Sequence, residues 1–493
     1  MNCILGIDLG TSSVKAMLLD PEQGVAGVQA QAYTVEIPQP GYAQQQPEQW
    51  WDALCKTLAA LKEANQEAFA RIQAVGLSGQ MHGLVLLDQN GTVLRPAILW
   101  LDQRSEAECM QIRQKIAENG WDSLLENPIF PGFAFPSLLW VKKHEPSVYE
   151  KIACVMQPKD YIRYRLTGLA GAEVTDASAS LLFAVGERQW AEPVMEAFGI
   201  DRGIFPDCHE SMDIAGSVAT KAQEQTGLKA GIPVVYGAGD QQCQSIGNGV
   251  AAKGQAICNI GTGGQISVFS DQNRYDPLLR THTFCHCFGQ AYTIYGAMLC
   301  AGMALDWLKN KILHEQSFAA LSEKAAEAEP GSGGLLFLPY LAGERTPHMN
   351  ANAAGMFFGL KLSQDERHMA RAVMEGVTFA LKDSLGIIEN LVDEKDFSMI
   401  ASGGACASPV WLQMQADIFN RPVRVCRVKE QACLGAAILA GVGSGILDGI
   451  AQACQKFVAY DEVLYEPDCG RAAYYEAQYE KFRALYGRVE SLF

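Results

Sequence analysis

The sequence predicts an α/β fold organised in two domains. Strand-like runs alternate with helix-like runs along the chain, which is typical of layered α/β proteins. A glycine-rich strand–turn–strand pattern at residues 3–20 recurs at residues 256–271, close to half a chain later. The 493 residues also exceed what one ordinary hydrophobic core organises. We therefore expect an N-terminal domain over residues 1–245 and a C-terminal domain over residues 246–493.

The spacing of hydrophobic residues predicts the individual elements in chain order. After the first hairpin, the pattern predicts a helix over residues 48–72 and further strands over 74–88. In the second half, it predicts a long helix over residues 365–392, a strand over 397–404 and an amphipathic helix over 472–493. Alternation of this kind supports the α/β assignment for both halves.

The charge balance argues against a nucleic-acid partner. The net charge is −16, and no block rich in Lys and Arg interrupts it. No stretch approaches the roughly 20 apolar residues that a membrane-spanning helix needs. The N-terminus, MNCILGIDLGTSS, lacks the basic leader of a signal peptide. We therefore expect a cytoplasmic protein with no membrane partner.

The 15 cysteines do not suggest a disulfide framework. They are odd in number, scattered, and often inside apolar runs, so reduced buried thiols explain them best. A zinc site at Cys285 and Cys287, with His282 and His286 nearby, is the alternative. A second ligand pair at the usual spacing is missing there.

The first turn has the composition of an anion-binding loop. Thr11, Ser12 and neighbouring backbone N–H groups can donate to an anion, and Lys15 adds a charge just beyond them. Asp8, at the end of the first strand, is placed to hold a hydrated divalent cation. An ordinary β-hairpin turn is the alternative for this loop alone.

Two further glycine-rich sites are consistent with phosphate or nucleotide binding. Gly261 and Thr262 repeat the first loop, but Asn259 stands where the first loop has an acid. One carboxylate is sufficient if the two loops face a single phosphate site with one metal. Later, Gly404 and Ala405 follow a predicted strand and precede a helix, a junction that can approach a nucleotide.

Asp240 is the candidate general base. It follows the apolar run 234–236, behind Gly237 and Gly239, where a carboxylate at a strand end can reach a substrate hydroxyl. Capping of the following helix is the alternative interpretation. The chain contains no G-x-x-x-x-G-K-[ST] and no G-x-G-x-x-G motif, which disfavours P-loop NTPases, protein kinases and Rossmann dehydrogenases.

These motifs, in this order, resemble the FGGY carbohydrate kinase family along nearly the whole chain. The matching stretches include GIDLGTS (6–12), GD (239–240), GTG (261–263) and LPYLAGERTPHMNANAAGMFFGL (338–360). The resemblance implies two actin-like ATPase (ribonuclease H-like) domains with a cleft between them, in which ATP and Mg²⁺ bind. It also leaves room for a homodimer.

Within the family, the chain is most similar to the xylulokinases, through SGQMHGLVLLD, LRPAILWLDQRS and QPKDYIRYRLTG. This resemblance implies phosphorylation of the terminal hydroxyl of a ketopentose, D-xylulose to D-xylulose 5-phosphate. Asp240 would be the catalytic base and, with Asp8, a magnesium ligand, partly through water. The sugar site would be formed by Met81, His82, Trp100, Asp102, Asp240 and Gln241. The ATP site would be formed by Thr11, Ser12, Lys15, Gly261, Thr262, Gly404, Ala405 and Ser408.

Three positions depart from the xylulokinase pattern, and all lie near the expected sugar site. Ser137 replaces a usual lysine, Leu101 replaces a polar residue, and Gln241-Gln242 follows Asp240 as in glycerol kinases. Another pentulose or a polyol, namely ribulose, L-xylulose, glycerol or erythritol, therefore stays open as the substrate. A satisfied core histidine is the alternative for His82.

Two functions of other classes remain as rivals. A non-catalytic actin-like protein that binds ATP has no use for Asp240 or for the Met81-His82 pair. A transcriptional regulator derived from a sugar kinase usually carries an added DNA-binding segment, whereas here the first hairpin starts at residue 3. Both are therefore less favoured than the kinase.

Overall fold

A computed structural model describes residues 2–392 and 394–493 of the chain. The chain forms two compact units. Unit 1 comprises residues 1–251, 283–292 and 428–458, and unit 2 comprises residues 252–282, 293–427 and 459–493. The predicted division of the chain at residues 245 and 246 stays a prediction.

Strands and helices alternate along both units. The strands are β1 Cys3–Leu9, β2 Ser13–Asp20, β3 Gly24–Ala32, β4 Gln44–Gln45, β5 Ile72–Gly79, β6 Val85–Leu87, β7 Ala97–Ile98, β8 Cys154–Met156, β9 Ala172–Glu173, β10 Phe183–Ala184, β11 Gln189–Trp190, β12 Cys208–His209, β13 Ile214–Ser217, β14 Pro233–Val235, β15 Ala238–Gly239, β16 Gln255–Ile260, β17 Gly264–Ser270, β18 His282–Cys285, β19 Tyr292–Met298, β20 Leu336–Leu338, β21 Met356–Phe358, β22 Ser398–Gly403 and β23 Val423–Val425. The α-helices are α1 Pro47–Ala64, α2 Gln66–Ala70, α3 Glu106–Asn119, α4 Asp122–Leu125, α5 Ala134–His144, α6 Pro146–Tyr149, α7 Pro158–Thr167, α8 Val174–Ser178, α9 Glu192–Ala197, α10 Thr220–Thr226, α11 Asp240–Gly247, α12 Gly302–Trp307, α13 Phe318–Glu327, α14 Glu366–Val392, α15 Pro409–Phe419, α16 Gln431–Gly443, α17 Ile450–Phe457 and α18 Cys469–Val489.

The main sheet of unit 1 has the strand order β13-β14-β5-β1-β2-β3, and β15 also pairs with β5. β1 and β2 form an antiparallel hairpin, while β1 runs parallel to β5. β1 is buried along nearly its whole length, as expected for a strand covered on both faces. The carboxyl ends of β1 and β5 therefore lie side by side.

Glycines bring helix α16 onto this sheet at close range. Gly6 and Gly76 are neighbours in the register of β1 and β5. A Cβ atom on Gly6 would lie 2.1 Å from the carbonyl oxygen of Cys433, and one on Gly76 would lie 1.9 Å from that of Ala436. Only glycine permits this approach of a helix backbone to a strand.

Unit 2 repeats the hairpin arrangement. Its strands β19, β17, β16, β22 and β23 are neighbours in this order. β16 and β17 form an antiparallel hairpin, and β16 runs parallel to β22, as β1 does to β5. The predicted repeat is thus confirmed, with one difference. The loop between the last paired residues has three residues in unit 2 and four in unit 1.

Most predicted elements are confirmed. The long helix appears as α14, and the C-terminal helix as α18. The helix predicted over residues 48–72 instead ends at Ala64, because Asn65 leaves the helical conformation (φ −141°, ψ 50°) before α2 begins. None of the helices in the described part of the chain is both long and apolar enough to cross a membrane.

The cysteines are free thiols, as expected, and most are buried. Cys285 and Cys287 are both buried, and burial lowers the pKa of His286 to about 3. Among residues 2–392 and 394–493, no group of three or more His, Cys, Asp or Glu side chains is arranged to hold a metal. The zinc alternative is therefore wrong for the described residues.

Candidate active site

The first glycine loop lies between β1 and β2 and is closed by its own backbone. Gly10 N–H donates to the carbonyl oxygen of Ser13 at 3.0 Å. The indole N–H of Trp100 donates to Thr11 Oγ1 at 3.0 Å, while Ser12 is exposed. A residue predicted for the sugar site thus contacts a residue predicted for the phosphate site.

Asp8 and Lys15 have separate partners at the base of this loop. Ser78 Oγ donates to Asp8 Oδ1 at 2.8 Å, and burial raises the pKa of Asp8. Lys15 Nζ donates to Glu430 Oε2 at 2.5 Å. Because this ion pair already engages the ammonium group, the assignment of Lys15 to the ATP site stays a prediction.

Asp240 is the first residue of α11, and Gly239 is its N-cap. The capping alternative is therefore wrong, since the carboxylate sits one position inside the helix. Burial, together with the nearby carboxylate of Asp8, raises the pKa of Asp240 to about 7. A carboxyl group with a pKa near neutrality is suited to accept a proton from a substrate hydroxyl.

Met81 and His82 follow β5 and adjoin the strand that leads to Asp240. A Cβ atom on Gly239 would lie 2.7 Å from the sulfur of Met81, so this side chain packs directly on that glycine. His82 has φ 71°, and its Nδ1 bonds to the carbonyl oxygen of Ala179 at 3.0 Å. The centre of its ring lies 3.9 Å from that of Phe133. In the neutral imidazole, the bond to a carbonyl places the proton on Nδ1.

Asp102 forms a buried ion pair with Arg104. It is fully buried, and its carboxylate accepts the backbone N–H of Ala43 at 2.6 Å and the guanidinium of Arg104 at 2.8–2.9 Å. That guanidinium lies 3.9 Å above the ring of Tyr42. This geometry gives Asp102 a role in orienting Arg104, and its assignment as a sugar ligand stays a prediction.

The three departures from the xylulokinase pattern have different surroundings. Leu101 is 41% exposed, whereas Ser137 is buried and its Oγ has no hydrogen-bond partner in the described part of the chain. Gln241 is half-buried. Gln242 is fully buried, and neither its oxygen nor its nitrogen is hydrogen-bonded within the described residues. Two of the departures therefore concern the interior of unit 1.

Unit 2 contains a cavity of about 690 Å³ that matches the predicted nucleotide site. Its walls include apolar side chains suited to a flat aromatic base. These are Met303, Leu305, Phe318, Met374 and Trp411. The predicted ATP-binding residues of this unit all line the same cavity, namely Gly261, Thr262, Gly404, Ala405 and Ser408.

Close backbone contacts fix the glycine segments at this cavity. Gly302 N–H donates to Gly261 O at 2.8 Å, and a Cβ atom on Gly302 would lie 2.4 Å from that oxygen. Gly403 has φ 82°, which turns the chain from β22 into the short helical turn Gly404–Ala407. Ser408 then caps α15 by accepting the N–H of Trp411 at 3.3 Å.

Several residues of the site were missed by sequence reasoning. The ring of Phe133 packs against His82 at a tilt, Ser78 bonds to Asp8, and Glu430 pairs with Lys15. Phe318 and Met303, 48% and 41% exposed, lie at the nucleotide cavity. The exposure of these two large apolar side chains marks the cavity in the structure. In the sequence alone, they are ordinary apolar residues.

Comparison with known proteins agrees with this arrangement. The N-terminal domain of the FGGY family of carbohydrate kinases matches residues 3–247, and its C-terminal domain matches residues 256–444. A xylulose kinase from Bacillus subtilis (strain 168) is 34% identical over 492 residues, which cover 100% of this chain and 98% of that protein. A gluconokinase from the same strain is 29% identical over 456 residues, covering 90% of this chain and 88% of that protein.

The fold has a solved counterpart. The crystal structure of a xyloylose kinase from Brucella ovis superposes with a TM-score of 0.94 at 32% identity, and each chain is covered completely. The sequence-based assignment of family and fold class is thereby confirmed. The chain is a phosphotransferase with an alcohol group as acceptor, and it belongs to the FGGY family of carbohydrate kinases.

Proposed function

We propose that this kinase transfers the γ-phosphoryl group of ATP to the terminal hydroxyl of D-xylulose, giving D-xylulose 5-phosphate. The observation that carries the proposal is Asp240, a carboxyl group with a pKa near 7 at the start of α11, directly after Gly239, on which Met81 packs. Full-length similarity to a xylulose kinase supports the choice of sugar. Asp240 would accept the hydroxyl proton as the oxygen attacks phosphorus.

The residues of unit 2 would bind the nucleotide. The adenosine end of ATP would lie against Gly404, Ala405 and Ser408, and its phosphates would accept hydrogen bonds from Thr262. The assignment of Thr11 and Ser12 of unit 1 to phosphate binding stays a prediction. Phosphoryl transfer depends mainly on positioning and charge stabilisation, which such backbone and hydroxyl donors supply.

Asp8 and Asp240 fit a magnesium ion. The two carboxylates lie close enough for the charge of Asp8 to raise the pKa of Asp240, and burial raises the pKa of both. Mg²⁺ usually takes one or two protein carboxylates, several waters and substrate phosphates, so a pair of acids is a sufficient set. When bound, Mg²⁺ would neutralise phosphate charge and remove the repulsion between these acids.

His82 would bond to hydroxyl groups of the sugar, and the side chain of Met81 would pack against its carbon atoms. The Nδ1 bond to Ala179 and the contact with Phe133 fix the plane of the imidazole. Trp100, which is 38% exposed, presents an indole face beside Thr11. An aromatic face and a fixed imidazole are suited to the alternating CH and OH groups of an open-chain ketose.

The test is a coupled assay of ADP release with Mg-ATP and a panel of acceptors. The panel contains D-xylulose, L-xylulose, D-ribulose, L-ribulose, glycerol, erythritol and gluconate. We expect the highest kcat/KM for D-xylulose, and loss of activity when EDTA removes Mg²⁺. Preference for another acceptor would move the substrate assignment but keep the kinase. No turnover with any acceptor, while ATP still binds, would favour the non-catalytic alternative.

The nucleotide cavity gives a separate prediction. Replacing Gly404 by leucine should raise the KM for ATP by about 10-fold or more, because the new side chain occupies space that lines the cavity. A Cβ atom at this position meets only Ile260 O, at 3.9 Å, so the backbone accepts the change. The KM for the sugar should change by less than about 3-fold, since none of the predicted sugar residues lines this cavity.

Gly403 provides the contrasting variant. Its φ of 82° and the 2.5 Å distance from an added Cβ to Ile260 O make the same substitution destabilising there. Steady-state kinetics and thermal melting of G404L and G403L would separate the two effects. An unchanged KM for ATP in folded G404L would contradict the proposed nucleotide site.

A further inference from the structure

Helix α8 is a short buried element that contacts two parts of the candidate active site. Glu173 precedes it and caps it, since the carboxylate accepts the backbone N–H groups of Thr175 and Asp176, both at 2.9 Å. Glu173 and Thr175 are fully buried. The carboxylate also accepts a hydrogen bond from Ser211 Oγ at 2.8 Å. The position of α8 is therefore fixed by a dense set of buried hydrogen bonds.

The hydroxyl of Thr175 joins this carboxylate to the residue before Asp240. The backbone N–H of Gly239 donates to Thr175 Oγ1 at 2.8 Å, and Thr175 Oγ1 donates to Glu173 Oε1. A backbone N–H can only donate, so Thr175 Oγ1 accepts from Gly239 and its own proton is free to donate to Glu173. The relay therefore runs from Gly239 through Thr175 to Glu173.

The other end of α8 contacts the predicted sugar site. Ala179, the residue after the helix, offers its carbonyl oxygen to His82 Nδ1 at 3.0 Å. The segment 175–179 thus makes two contacts with the candidate site. Its first residue bonds to the backbone of Gly239, and its last bonds to the imidazole of His82. No local sequence motif predicts the bond between Gly239 and Thr175, because the two residues are 64 positions apart.

We infer that Thr175 is a positioning residue, which fixes the position of Asp240 relative to His82 through the hydroxyl relay to Glu173. The inference rests on the proposed role of Asp240 as the general base. Without the hydroxyl, the N–H of Gly239 has no acceptor at this position, and the start of α11 loses its fixed distance from α8. Misplacement of a reacting group by about 1 Å can lower a rate by roughly 100-fold.

The test compares Thr175→Val with Thr175→Ser. Valine keeps the shape of threonine but cannot accept from Gly239, whereas serine keeps the hydroxyl. We expect T175V to lower kcat by about 10- to 100-fold with a change of less than about 3-fold in the KM for ATP. T175S should stay within about 3-fold of wild-type kcat.

Ser211→Ala is the matched control. It also removes one buried hydrogen bond to Glu173, but Ser211 does not bond to Gly239. We expect S211A to lower the melting temperature about as much as T175V does and to leave kcat within about 3-fold of wild type. An equal loss of kcat in S211A and T175V would overturn the positioning role, because weakening of the buried cluster would then explain both.

Two further results keep the inference testable. If T175V does not fold, Thr175→Cys replaces it, since a thiol is a weaker acceptor, and kcat must then fall below that of T175S. Equal kcat values in folded T175C and T175S would overturn the inference. If T175V is as active as wild type while Asp240→Asn is inactive, the positioning role fails and the proposed function stands. If D240N is active, the proposed base itself is wrong.

Discussion

Replacing Asp240 by asparagine should lower kcat by about 10²- to 10⁴-fold, the usual contribution of a general base. Asparagine keeps the size of the side chain but cannot accept the proton of the sugar hydroxyl. The carboxylate sits at the start of α11 with a pKa of about 7, which prepares it for this role. Steady-state assays with saturating Mg-ATP and D-xylulose measure the effect.

The fold should survive this change. Burial raises the pKa of Asp240 from 3.8 to about 7 in the folded protein. Between these pH values the folded state holds a proton that the unfolded chain releases, so stability contributed by the neutral acid falls as pH rises and is lost above pH 7. D240N should therefore melt at the same or a higher temperature than wild type at pH 8 in metal-free buffer. Wild-type turnover in D240N would remove Asp240 from the mechanism.

Replacing Gly76 by valine should destabilise unit 1 by more than about 3 kcal/mol. An added Cβ atom would lie 1.9 Å from the carbonyl oxygen of Ala436, and the obstacle is helix backbone rather than a flexible side chain. Helix α16 would have to move off the sheet. For a unit of this size, the melting temperature should fall by roughly 6–12 °C or the variant should aggregate.

Gly386→Ala is the control for the glycine prediction. Gly386 lies inside α14, and a Cβ atom added there meets nothing within 4 Å. Alanine favours the helix over glycine by about 1 kcal/mol, so G386A should melt at or above the wild-type temperature. Equal melting temperatures for G76V and wild type, measured by circular dichroism, would show that α16 does not pack as described.

Local patterns predicted the fold well where the structure is local. The hairpin of β1 and β2 and the turn after β22 are encoded by adjacent apolar and glycine residues, and both were predicted. The break at Asn65 was not predicted. The apolar period continues through it, while the break depends on backbone angles that no residue type in that stretch requires. Local sequence patterns also do not reveal which strands are neighbours in a sheet.

The site was predictable in its loops but not in its supports. Gly261 and Gly404, which line the nucleotide cavity, were found from their own motifs, whereas Gly302 of the same cavity was not. The partner of Lys15 is Glu430, 415 residues away, and the partner of Trp100 is Thr11, 89 residues away. Such pairs depend on tertiary contacts between distant segments, and a single sequence does not show which segments are in contact.

The packing of α16 also constrains when unit 1 can fold during synthesis of the chain. Residues 428–458 belong to unit 1, and α16 lies directly on Gly6 and Gly76. α16 also packs on α11, where a Cβ atom on Gly435 would lie 2.0 Å from the carbonyl oxygen of Cys243. On the ribosome, the half of the protein that carries Asp240 must therefore wait for almost the entire chain to be translated. Until then its sheet exposes an apolar face, so a chain cut short at residue 251 should bind chaperones rather than fold.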